Sequence, residues 1–149
     1  MKKTILTAII SFFGLALTAQ SYKGKTADKK LNDEYCSGLF KISEGTILDL
    51  TNDNNTAINY LNILDWMQGR VAGLRICKLS NGTSIPFIRG SQAMIFLDEI
   101  PITAGLMNTI NTSDIAMIKV FKSSFAGSFG NSPAIAIYTF KIEDEEETN

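Results

Sequence analysis

Three short groups of residues in this 149-residue chain have types that could do chemistry. Asp98 and Glu99 are adjacent carboxyls, Arg89 and Gly90 set a cation beside a flexible residue, and Cys36 and Cys77 are the two cysteines. Each is weak as catalytic equipment. Neighbours on a strand project to opposite faces, so Asp98 and Glu99 make a poor acid–base pair there and suit a strand bend or hairpin tip. Gly90 lets the chain turn with positive φ, and Arg89 at a strand end can hold a carboxylate or carbonyls in bidentate fashion. Arg89 is therefore expected to act as a clamp inside the domain, with Asp98 or Asp114 as its carboxylate; the alternative is an outward contact with a partner. The Asp-containing loop "TNDNN" lacks the central glycine and closing glutamate of an EF-hand, and Asn55 or Thr56 reads as a helix N-cap. The chain has no histidine, which removes the commonest general base and metal ligand. With no nucleophile–base pair, metal cluster or phosphate loop, neither an enzyme nor a bound cofactor or metal is expected.

The chain around these residues has the composition of one globular domain. Its hydrophobic share of 45% against 19% charged is enough to bury a core. A formal charge of −1 gives no reason to expect nucleic acid as a partner. Residues 1–20 have the layout of a secretory signal peptide: a basic Met1-Lys2-Lys3, the apolar run "TILTAIISFFGLALTA", and Ala19-Gln20 at its end. That run is shorter than the roughly 20 apolar residues a membrane span needs, so no transmembrane segment is expected after cleavage. The protein is expected to be exported. In an oxidising compartment Cys36 and Cys77 are either a disulfide or two unpaired thiols, Cys77 lying buried on a strand in the second case.

Several elements must position these groups. Residues 21–55 read as an N-terminal arm, solvated through "KGKTADKK", with a short strand at "TILDL" (Thr46 to Leu50). From Ala57, residues Ile58, Leu61, Leu64 and Trp66 or Met67 follow helical spacing, and Gly69 and Gly73 mark the helix end. "GLRICKL" and "SIPFIRG" flank Asn81-Gly82 as a hairpin. "AMIFLDEIPI" is β-rich, "AGLMNTIN" a short helix, "IAMIKVFK" and "AIAIYTF" strands, and residues 142–149 an acidic, solvated tail. The expected class is α+β, a small mixed β-sheet of about five strands with two short helices. Ile95, Leu97, Ile115, Ile118, Val120, Ile135 and Ile137 should pack on the helix bearing Leu61, Leu64 and Met67.

The ordered series "LDWMQGRVAGLRI", "IPFIRGSQAMIFLDEIPI", "INTSDIAMIKVFKSSFAGSFG" and "AIAIYTFK" resembles the plug domain of TonB-dependent outer-membrane receptors, especially the SusC-like branch. Gln68, Gly69, Arg70 and Gly73 match that family's helix-ending motif, and Arg89 and Gly90 its strand-ending Arg-Gly. Asp98 and Pro101 match its Asp-Gly-x-Pro turn. Asn111, Asp114, Ile115, Lys122 and Gly130 match the segment that follows, and Thr139 and Lys141 flank the match to the last strand. The resemblance covers roughly residues 56–141. Three departures fall at turns: Glu99 stands where the family has glycine, Phe129 where it has tyrosine, and Asn131 to Ala134 lacks the expected glycines.

The resemblance implies a plug-like domain at residues 56–141 whose matched residues are family-motif or partner-contact positions. Receptors of that kind continue into a barrel of about 22 strands, for which these residues leave no room. The expected function is therefore a stand-alone, plug-like accessory of outer-membrane nutrient uptake, in the periplasm or at the periplasmic face of a Gram-negative outer membrane. Its partner would be a receptor barrel or another envelope protein, and it would not transport by itself. A remnant or fragment of a SusC-like receptor and a periplasmic ligand-binding module are the alternatives.

Overall fold

The central strands carry apolar residues on both faces, so the sheet they form must be covered twice. A computed structural model describes residues 25–52, 55–123 and 132–141. Five strands make a mixed sheet in the order β1 (Thr46–Asp49), β7 (Ile115–Phe121), β8 (Ala134–Thr139), β5 (Met94–Leu97) and β6 (Ile100–Ile102). Only β5 and β8 run parallel within it. A second, antiparallel sheet joins β2 (Leu74–Lys78), β3 (Ser84–Ile88) and β4 (Ser91–Gln92). Three α-helices accompany them: α1 over residues 25–35, α2 at Gly38–Ile42 and α3 at Ile63–Met67. The class is α+β, with two sheets where the sequence suggested one.

One face of the larger sheet presents Ile95, Ile115, Ile118, Val120, Ile135 and Ile137 to α3 and to Leu74 and Ile88 of the smaller sheet. Leu64 and Met67 are fully buried in this core, and Leu97 packs at its margin. Leu61 does not join them. The expected continuous helix is a 3-10 turn at Thr56–Asn59, a break, and then α3, which turns Leu61 out to 98% exposure and leaves Ile58 exposed too. Asn55 and Asn62 each cap their own short helix by accepting from the backbone N–H two residues on. Two caps in eight residues make two helices.

The opposite face carries Phe96, Met117, Phe121, Ala134, Ala136 and Tyr138; residues 25–30 of the expected solvated arm are exposed as expected, but the arm is helical and its later residues are buried here. Residues 25–42 fold as α1 and α2, which place Leu31, Cys36 and Phe40 over that face. Phe40 meets Phe96 edge-on at 5.0 Å and Phe121 at 6.1 Å between ring centroids. Burial of a large apolar side chain is favourable by about 1.5–3 kcal/mol, more than propensity gives a five-residue helix. Leu31, Cys36 and Phe40, with Tyr35 and Leu39 packed beside them, hold the lysine-rich segment down on the sheet.

The cysteines are not bridged. Cys36 is buried in the link between α1 and α2, whereas Cys77 is exposed on β2, so the buried strand thiol expected at Cys77 is also corrected. A thiol reagent should label one cysteine of the native protein within minutes, at Cys77. Labelling of Cys36 should need denaturant; equal native labelling at both would contradict this packing. The signal-like residues 1–20, the turn containing Phe129 and Gly130, and the acidic tail lie outside the described residues. Among the described residues no helix is long and apolar enough to cross a membrane.

Candidate functional site

Two of the three groups singled out by residue type, Arg89-Gly90 and Asp98-Glu99, sit in two-residue hairpin turns. Ile88 pairs with Ser91 across Arg89-Gly90, and Leu97 pairs with Ile100 across Asp98-Glu99. All four turn residues have positive φ: 52° and 88° in the first turn, 46° and 69° in the second. This is the sense of turn that matches the twist of the flanking strands, and its usual second residue is glycine. Gly90 supplies that residue and Glu99 does not.

The strain at Glu99 is offset by what its carboxylate holds. Ser37 N–H donates to it at 2.6 Å, the Ser37 hydroxyl donates to its other oxygen, and the Tyr138 hydroxyl donates at 3.3 Å. Asp98 faces elsewhere, accepting from Thr139 N–H and Thr139 Oγ1, both at 2.9 Å. One carboxylate ties the hairpin to the start of α2, and the other ties it to the end of β8. Neither is placed to share a proton with the other.

Arg89 is not the internal clamp expected. Asp98 is taken by Thr139, Asp114 accepts from Ser113 Oγ, and no hydrogen bond or ion pair reaches the Arg89 guanidinium among the described residues. Its left-handed backbone at the hairpin tip aims the side chain into solvent. The stem rests near Gly73, whose φ is 83° and where an added Cβ would lie 3.4 Å from Arg89 Cγ. The Arg89 N–H donates to the Gly73 carbonyl at 3.0 Å, so the end of one motif docks on the turn of the next. Arg89→Ala should leave the melting temperature within about 2 °C, as exposed substitutions do. A fall of 5 °C or more in a thermal melt would restore the clamp.

The other matched residues are mainly structural. Gln68 ends α3, and Gly69 takes a φ of 85° just beyond it. Arg70 donates to the Trp66 carbonyl at 2.7 Å and lies over the Trp66 ring at 4.7 Å and the Tyr60 ring at 5.9 Å. Pro101 sits on the edge strand β6 opposite Phe96, where its missing N–H breaks no ladder. Asn111 caps the turn containing Asp114, whose carbonyl accepts from Phe140 N–H. Lys122 follows β7 half-buried, and Lys141 donates to the Glu34 carbonyl. Gly130 lies outside the described residues.

The residue types do not single out the polar centre beneath α1 and α2. Lys119 on β7 is 3% exposed and donates to Asn32 Oδ1 at 2.5 Å and to the Phe40 carbonyl at 2.6 Å. Burial lowers its pKa. The Cys36 thiol contacts the Tyr138 hydroxyl; burial raises the pKa of both, and a thiol shifted upward is less nucleophilic. The one available signal was alternation, since Met117, Lys119 and Phe121 share a face. A lysine in an apolar row implies that the face is covered.

No protein-family model matches this sequence, and no curated protein matches it. Solved structures do. A chain of the RagAB peptide importer in its open-open state superposes with a TM-score of 0.50 at 18% identity, over 65% of this chain and 12% of that one. The chain is similar in fold to part of RagAB. The RagAB peptide transporter and the closed-closed importer give TM-scores of 0.48 and 0.46, at 20% and 21% identity, over 64% and 67% of this chain. This chain spans 12–13% of the length of the RagAB chains it matches.

Proposed function

We propose that this chain is a SusC-like plug domain, exported to the periplasmic side of an outer membrane, which serves nutrient uptake by docking on a receptor barrel or another envelope protein. One observation carries this proposal. The motifs that resemble a plug run in plug order along the chain, and they fall at the turns and helix ends of a fold shared with part of a RagAB importer chain. The groups built for structure point inward, while Arg89, Ile58 and Leu61 stand exposed on short, well-braced segments. They are what this domain offers a partner, and catalysis has no part in its role. The same unit working inside a larger receptor is a second reading, favoured by the small share of the RagAB chain that it covers.

The test is cross-linking of the tagged full chain in a Gram-negative host, followed by recovery from the envelope fraction. A barrel-forming protein should be recovered with it, and Arg89→Glu should reduce that recovery several-fold at unchanged melting temperature. Rim charges of this kind act through salt-sensitive contacts, so high salt should weaken capture as well. Retention of the chain in the cytoplasm, or envelope recovery with no barrel protein, would count against it.

A further inference from the structure

We propose that the cleft between α1, α2 and the start of β1 binds a phosphate group, with Lys119 at its base. Lys25 and Lys29 of α1, Lys41 of α2 and Lys119 of β7 line this cleft of about 610 Å³, together with Asp28 and Glu44. Lys119 is the decisive group. It is almost wholly buried, yet among the described residues no carboxylate lies within ion-pair distance of it. A buried ammonium without an anion is costly, and proteins usually pair it. Its two protein acceptors are neutral, and an ammonium has three N–H donors. The ammonium also lies 5.3 Å from the centre of the Phe121 ring, and one of its three N–H donors has no hydrogen-bond acceptor among the described residues.

The surroundings fit an anion of modest size. Lys41 is engaged by Asp33 at 3.1 Å, whereas Lys25 and Lys29 lie four residues apart on one face of α1 with no hydrogen bond or ion pair among the described residues. Gly45 keeps the floor open for the Lys119 stem: a Cβ there would lie 3.0 Å from Lys119 Cγ and 3.1 Å from the Val120 carbonyl. Lysines act as point charges toward phosphate, and with Lys41 paired to Asp33 the cations Lys25, Lys29 and Lys119 exceed Asp28 and Glu44 by one charge. Asp28 and Glu44 would repel a polyanion, which fits a single phosphate and disfavours nucleic acid. This inference stands apart from the docking role above.

The full chain should be titrated with inorganic phosphate at low salt by calorimetry, and sedimented with vesicles of phosphatidylglycerol or of phosphatidylcholine alone. Saturable binding to phosphate, or to the phosphatidylglycerol vesicles only, is expected; the second result identifies a lipid headgroup as the source. Lys119→Met should abolish binding. The exposed double variant Lys25→Gln/Lys29→Gln should weaken it at least fivefold while keeping the native melt, which preserves the test if Lys119→Met does not fold. Absence of saturable binding to either probe, or equal binding by the double variant, would overturn the proposal.

Discussion

Phe40→Ala should lower the free energy of unfolding by about 3–5 kcal/mol, the range for truncating a buried phenylalanine. The side chain is buried between Phe96 and Phe121, and its ring contacts add to area burial. The substitution leaves the Phe40 carbonyl in place as an acceptor for Lys119, so it isolates packing from the polar contact. Urea unfolding followed by tryptophan fluorescence would measure it through Trp66, which lies in the other core. If residues 21–44 were a solvated arm, the change would be under about 0.5 kcal/mol. A full-sized effect seen from Trp66 would also establish that both faces of the sheet unfold together.

Glu99→Ala should cost about 2–3 kcal/mol, because it keeps the unfavourable backbone and removes the acceptor for Ser37 and Tyr138. The Tyr138 hydroxyl belongs to a residue only 2% exposed, so water does not readily replace the lost partner. Glu99→Gly separates the two effects. Glycine relieves the positive φ and should recover roughly 1 kcal/mol of the loss, leaving a net cost from the broken hydrogen bonds. Denaturant titration of the pair would show the order parent, Gly, Ala. A glycine variant as stable as the parent would mean that the carboxylate contributes nothing, and the departure from the family's Asp-Gly turn would then have no structural return.

The sequence by itself determined the elements whose signals are local. Asn81-Gly82, Arg89-Gly90 and Asp98-Glu99 fall in turns, and the strands between them lie where period-two patterning and β-branched residues place them. Most of the first core was legible for the same reason, since alternation along β7 and β8 sorts Ile118, Val120, Ile135 and Ile137 onto one face. Tertiary structure decided the rest. Whether residues 25–42 fold depends on an apolar sheet face more than fifty residues away in sequence, which no window across "KGKTADKK" contains. Leu61 satisfied helical spacing, but Asn62 started a new helix and left it in solvent. Arg89 lost its expected carboxylates because Asp98 and Asp114 found partners of their own. Glu99 and Lys119 gained their roles only when α1 and α2 closed over the sheet. Turn chemistry is written within a few residues, whereas a buried charge acquires its meaning from whatever the fold brings to meet it.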